Sequence, residues 1–370
     1  MIIHQLKQKA YELFPRLMLG RRIAKFMKNS LSLPYVRGGV NWADHIENNM
    51  RYFLSDDQLK DESYLKQIKH DIIECIVLYG LDANDYFILG VSEKNREERE
   101  NILSRIEKDK LCAKFIEERG LDCVQILDQL SNKFTFYQLN KDYFKREACL
   151  ISSTKDKSSF YDFCSRHDRF IAKDNHGRAG VGAEVINIRL HNNLDVIFEH
   201  LMEDGHDWIL EELVEQDSRM SIWNDTSVNT VRVPTFSTKE GIVIAYPFTR
   251  LGRKGSIVDN ASAGGTYASI DAETGIIITD GYDKNGKKYT EHPDSGQKYM
   301  GFQIPEWESL IRTVKEIHSS MPKGHKYVGY DMALSNTGWV LIEGNWGNFS
   351  PQQSALKVGL KKEFVRLMKA

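Results

Sequence analysis

Apolar residues recur every three or four positions early in the chain: Ile46, Met50, Phe53 and Leu54, then Leu65, Ile68, Ile72, Ile73 and Ile76. That spacing lines one face of a helix, so residues 1–105 are expected to be a helical region. Ser55-Asp56-Asp57 offers an N-cap between the two stripes, and Leu33-Pro34 with Arg37-Gly38-Gly39 predicts a loop after a first helix. From about residue 108 the period changes. A helix through Lys114 to Arg119 should stop at Gly120, and short β-like runs follow it. They are Phe134–Tyr137, Phe170–Lys173, Trp208–Glu211, Thr230–Val233, Ile242–Tyr246, Ala268–Asp271, Ile276–Thr279 and Trp339–Ile342. One more helical stripe joins Trp307, Leu310, Ile311, Val314, Ile317 and Met321. The expected class is α+β with a largely antiparallel C-terminal sheet, divided as 1–105, 106–215 and 216–370.

A length of 370 residues allows two or three domains with a real core. The net charge of −2 implies neither a nucleic-acid partner nor an acidic tail. No run approaches the roughly 18 apolar residues of a membrane span. Lys7, Lys9 and Arg16 break any signal-peptide core. Five scattered cysteines without a Cys-x-x-Cys pair fit reduced thiols and a cytoplasmic location. Residues 1–28 are basic and amphipathic, a pattern that suits either a helix packed on its own protein or peripheral contact with an anionic membrane.

The chemistry concentrates near the C-terminus. Val-Gly-Tyr-Asp331 precedes an Asn336-Thr337-Gly338 turn and then Trp-Val-Leu-Ile-Glu343-Gly-Asn345. Paired as antiparallel strands, these segments would gather Asp331, Glu343 and Asn345, with Glu343 and Asn345 on one face. Such oxygen donors suit Mg²⁺ and a phosphate substrate. Further back, Lys173 closes a strand and leads into Gly177-Arg178-Ala179-Gly180-Val181-Gly182. The lysine can meet phosphate oxygens and the glycines let backbone N–H groups surround them, although a plain hairpin turn would look the same. Trp208 to Asp217 runs from an apolar strand into acids that could face an adenine and a ribose, or solvent. Ser227-Val-Asn229-Thr-Val-Arg232 sets Asn229 and Arg232 within a strand, where an arginine answers a carboxylate or phosphate. Arg250, Arg253 and Lys254, ahead of the small-residue stretch Asn260–Thr266, read as exposed loop charges or as cations leaning toward phosphates or a substrate carboxylate.

The order of these features, lysine with a Gly-rich loop, acidic hinge, then Asp and Glu-x-Asn, resembles the ATP-grasp superfamily. Ser-Val-Asn-Thr-Val-Arg, Gly-Gly-Thr-Tyr-Ala-Ser-Ile-Asp and Val-Gly-Tyr-Asp resemble its sugar-transfer-associated branch, over about Asp109 to Pro351. The resemblance implies two α+β lobes clasping ATP, with a Gly-rich lid in the first and the metal site in the second. It implies Lys110 and Lys173 as ATP-binding lysines, with Gly180 and Gly182 in the lid. Glu211, Glu212, Leu213 and Val214 become the adenine hinge, Glu215 or Asp217 lies near the ribose, and Asn229 is a further nucleotide contact. Asp331, Glu343 and Asn345 match ligands for two Mg²⁺. Gly329 stands where many ATP-grasp ligases carry an arginine, so Arg232 or Arg250 must take that part. The implied activity is ATP-dependent joining of a small-molecule carboxylate to an amine through an acyl phosphate. The acid could be a sugar acid or amino acid used in surface-polysaccharide biosynthesis. A kinase on the same fold and a degenerate, non-catalytic scaffold are the alternatives.

Overall fold

The structure, a computed structural model, describes residues 42–177, 182–191, 193–203 and 205–370. The basic segment 1–28, the loop expected near 33–39 and Gly180 lie outside these. The chain divides into two compact units: residues up to Leu111 with Asn348–Arg366, and Cys112–Gly347 with Leu367–Ala370.

The first unit is helical, with helices Trp42–Phe53, Asp56–Lys60, Glu62–Tyr79, Ala83–Ile88 and Arg96–Glu100. The expected stripes form its core, where Ile46, Met50, Ile68 and Ile72 pack with Cys75 and Tyr86. Ser55 caps the second helix, and Gln58 returns the bond to the Ser55 N–H. Residues 348–366 join this unit rather than the 216–370 lobe expected for them. The buried Gln353 side chain explains the return: it accepts from Leu103 N (2.8 Å) and donates to Leu103 O (3.1 Å).

The second unit holds two antiparallel sheets. In the first, β1 (Ala148–Ile151), β2 (Arg169–Asp174), β3 (Glu184–Asn187) and β4 (Trp208–Glu212) lie in the order β1-β4-β2-β3. Helices Lys157–Arg166 and Leu194–Glu203 cover it through Phe160, Phe163 and Phe198, against Phe170 and Leu210. The second sheet contains β5 (Thr230–Thr238), β6 (Gly241–Ile244), β7 (Phe248–Leu251), β8 (Thr266–Ser269), β9 (Gly281–Tyr282), β10 (Lys288–Tyr289), β11 (Tyr327–Ser335) and β12 (Gly338–Asn345). Its order is β10-β9-β8-β7-β5-β11-β12, with β6 also on β5. The helix Trp307–Ser320 presents Leu310, Val314 and Ile317 to this sheet's core, as its stripe predicted. β11 is buried at all nine positions, so any charge it carries must find a partner inside the protein.

Two expected strands are absent. Phe134–Tyr137 lies in the helix Lys133–Leu139, where Asn132 caps Thr135 N and Phe136 and Tyr137 are buried on one side. Capping and burial outweigh the β preference of the aromatic run. Ile276–Thr279 forms only isolated bridges, from Ile276 to Gln303 and from Ile277 to Ile270. Among the described residues no helix is long and apolar enough to cross a membrane.

Candidate functional site

The acidic cluster is assembled by strand register. Ser335 pairs with Gly338 across the two-residue turn Asn336-Thr337, and the ladder continues to Met332 opposite Leu341. It then slips by one residue, so that Ile342 bulges out and Asp331 faces Glu343, with Gly329 facing Asn345. Directly paired residues point to the same sheet face. Without the bulge, Glu343 and Asn345 would point to the face opposite Asp331. On the other side of β11, β5 sets Arg232 opposite Asp331, and β7 sets Arg250 opposite Thr230. One face therefore carries Arg250, Arg232, Asp331, Glu343 and Asn345.

Arg232 grips Asp331 through Nε and Nη2, the latter at 2.6 Å, and its Nη1 donates to Asn345 Oδ1 at 2.8 Å. Arg250 Nη1 donates to Asp331 Oδ2, the oxygen that also accepts from Arg232 Nη2. Only 1% of the Asp331 side chain is exposed, whereas 39% of Glu343 is, making Glu343 the open corner of the cluster. Burial alone would raise the Asp331 carboxyl, but the two guanidinium groups hold it well below the usual range. Crowding around the Glu343 carboxyl and the Asp331 charge push Glu343 upward. Arg250 is half-buried on β7 and not in an exposed loop, which corrects the sequence expectation; Phe248-Thr-Arg-Leu is a strand. Arg253 is paired with Asp294 at 2.6 Å.

The first sheet supplies the lysine. Lys173 ends β2, and its Nζ donates to Glu211 Oε1 on β4 at 2.8 Å. Arg146 donates to the other Glu211 oxygen (2.5 Å), so this buried carboxylate is held down to about 2 by Lys173 and Arg146 despite its burial. The same Arg146 donates Nη1 to Leu341 O on β12 at 2.6 Å, tying the two sheets together behind the cluster.

Lys133, which the sequence reading passed over, opens the helix whose Phe136 ring packs against Gly344 of β12, between Glu343 and Asn345. Its Nζ donates to Asp174 O and Gly177 O, each at 2.6 Å. Burial pushes its ammonium below the ordinary lysine range; Glu343 opposes that shift and Lys173 adds to it. Lys133 is thus within electrostatic reach of both the acidic cluster and the strand-end lysine. Its signal was Asn132 ahead of an aromatic run, a helix N-cap misread as a strand start. Lys110, the lysine selected instead, is exposed on the helix Arg105–Glu117.

The remaining expected residues fall out unevenly. Leu213 and Val214 leave β4 as half-buried loop residues, while the Glu212 carboxylate accepts from Glu147 N. Asp217 caps the short helix Ser218–Ser221 and is bound by Arg219. Gly182 has φ +77°, a backbone that suits glycine. Asn229 is fully buried: its amide donates to Gln216, Met220 and Asn224, and its oxygen accepts from Gly252 N at 3.1 Å. With its bonding capacity spent on protein, it clamps the scaffold and offers nothing to a nucleotide.

Two carboxylates and an amide oxygen are hard donors of the kind Mg²⁺ takes, and Glu343 is partly exposed, so the donor set fits that ion. Among the described residues no three His, Cys, Asp or Glu side chains form a metal site alone; here the amide of Asn345 would complete the set.

A family model described as sugar-transfer associated ATP-grasp matches residues 118–366. The chain belongs to that family. The match takes in both sheets of this ATP-grasp protein and every member of the acidic cluster. A comparison with curated proteins gives no match. Similar solved structures include D-alanyl-alanine synthetase A from Vibrio cholerae O1 biovar eltor, with 12% identity, 65% of this chain and 66% of that one, and a TM-score of 0.39. Others are D-alanine-D-alanine ligase from Helicobacter pylori (12%, 64% and 57%, 0.37), and N5-carboxyaminoimidazole synthase from Aspergillus clavatus (10%, 70% and 58%, 0.38). The chain therefore spans between 57% and 66% of the length of these proteins.

Proposed function

We propose that this ATP-grasp protein is an ATP-dependent carboxylate–amine ligase that activates its acid as an acyl phosphate. The observation carrying this reading is the placement of Lys133: its Nζ binds the Asp174 and Gly177 carbonyls just after Lys173, while Phe136 on its own helix packs against Gly344, between Glu343 and Asn345. In this reading the cationic groups for phosphates and the oxygen donors for a cation serve one nucleotide, as phosphoryl transfer requires.

In this reading Lys173 and Lys133 bind phosphate oxygens, and Glu211 keeps Lys173 extended toward the nucleotide. Leu213 and Val214 offer backbone groups to the adenine. Asp331, Glu343 and Asn345 would hold Mg²⁺, which supplies charge neutralisation at the β- and γ-phosphates. Arg232 faces the acyl oxygen and steadies the negative charge that gathers there as the amine attacks. No protein nucleophile is needed. The sugar-transfer part of the family's description favours a sugar acid or an amino acid as substrate, in surface-polysaccharide assembly within the cytoplasm.

The test is ADP release from ATP and Mg²⁺ across panels of carboxylates and amines, with products identified by mass. Turnover that needs an acid and an amine together, yielding an amide and free phosphate, supports the ligase. Turnover with a single hydroxyl acceptor that gains a phosphate would establish a kinase instead.

A further inference from the structure

Asp259 lies in the glycine-rich segment between β7 and β8 and takes no part in the reading above. It is buried, with 7% exposure, and points back at the start of β5, where its Oδ2 accepts from Thr230 N (3.0 Å) and Thr230 Oγ1 (2.5 Å). Its other oxygen meets Arg250 Nη2 at 3.3 Å. The segment fits tightly here: a Cβ on Gly265 would stand 2.3 Å from the Asp259 carbonyl oxygen. Arg250 is consequently shared between two carboxylates, Asp259 through one nitrogen and Asp331 through the other, with Glu343 at 3.8 Å.

A divalent cation held by Asp331 and Glu343 competes with Arg250, because both seek the same Asp331 oxygen and repel each other at that range. A half-buried guanidinium pushed off one carboxylate needs another, or its desolvation is uncompensated. We propose that Asp259 is a positioning residue that receives Arg250 and so sets the affinity of the Asp331–Glu343–Asn345 cluster for a divalent cation. This rests on the reading of that cluster as cation-holding.

The test is Mn²⁺ binding to the full chain, followed by loss of the free-ion EPR signal, with thermal melting as the check on folding. Asp259→Asn keeps the shape and the Thr230 contacts but removes the charge that receives Arg250. It is expected to weaken Mn²⁺ binding roughly tenfold, the scale of one displaced neighbouring charge in a partly buried site. Arg250→Gln removes the competitor and should bind Mn²⁺ at least as tightly as wild type. Adding Asp259→Asn to Arg250→Gln should then change nothing beyond about twofold, since the two act through each other.

An equal loss from Asp259→Asn with and without Arg250 overturns the proposal, because a merely structural role would produce it. If Asp259→Asn does not fold, Arg250→Gln decides alone: weaker binding than wild type overturns the proposal and tighter binding supports it. Glu343→Gln separates the two levels. Wild-type Mn²⁺ affinity in that variant, or no Mn²⁺ binding by wild type, overturns the cluster reading and the proposal together. Lost binding in Glu343→Gln with unchanged binding in Asp259→Asn overturns only the role of Asp259.

Discussion

Arg232 stands directly opposite Asp331 in the β5–β11 ladder, and its stem passes over Gly329, where an added Cβ would lie 3.1 Å from the Arg232 Cδ. The glycine at 329 and the arginine at 232 are therefore one arrangement. A side chain at 329 would claim the space that Arg232 uses to reach Asp331 and Asn345. In the proposed reading, the guanidinium expected two residues before the aspartate would come instead from the neighbouring strand.

Gly347 closes the other side of that guanidinium. A Cβ there would lie 2.5 Å from Arg232 Nη1, while its backbone is not left-handed, so Gly347→Ala should fold and displace the guanidinium. Turnover is expected to fall by about 10- to 100-fold, the range for a misplaced charge near a reacting group, with KM for ATP little changed. Unaltered kcat would remove Arg232 from the chemistry.

Glu343 and Asp331 should respond differently to loss of charge. Glu343→Gln, at the open corner, should lose ATP turnover by a factor of about 100 or more while melting near wild type. Asp331→Asn should lose turnover and also about 3–5 kcal/mol of stability, because the buried Arg232 and the half-buried Arg250 lose their shared counter-ion. Denaturant unfolding beside an ADP-release assay checks both, and full turnover in Glu343→Gln would refute the cluster's role.

The lysines give a three-way comparison. Lys133→Met and Lys173→Met should each raise KM for ATP about tenfold or more, as loss of a charge-assisted contact to phosphate does. Lys110→Met, on an exposed helix position, should stay within about twofold of wild type. Initial-rate kinetics over a range of ATP concentrations decide whether Lys133 replaces Lys110 in the assignment.

Two histidines predict an acid-sensitive fold. His318 is bonded to Thr235 and to the His325 carbonyl, His325 to Gln129, and burial lowers both to about 4. The unfolded chain takes up protons near pH 6.5 while the native one does not. The stability these groups contribute is complete above pH 6.5 and drains away as the pH falls toward 4. The limit is roughly 3 kcal/mol per histidine, and less than twice that for the neighbouring pair. Denaturant unfolding at pH 7.5, 6 and 5 should show the decline, and His325→Asn should flatten it; a flat wild-type profile contradicts the assignment.

Local periodicity was enough to place the helical stripes at 46–54, 65–76 and 307–321, and the Ser55 cap, because those signals lie within a few residues of one another. Side-chain chemistry alone singled out Lys173, Arg232, Asp331, Glu343 and Asn345. What the sequence could not show was which of them share a face. The turn at Asn336-Thr337 by itself would pair Asp331 with Ile342; the bulge at Ile342 moves Glu343 into that place. Strand side chains alternate with a period of two, so one slipped residue reverses the outcome, and where the slip falls is decided by packing across the sheet. The same holds for Lys133, Arg146, Arg250 and Asp259, whose partners lie far away in sequence, and for Asn229, which only burial shows to be a scaffold clamp. Residue chemistry determined what could act, and long-range pairing decided which groups face one another.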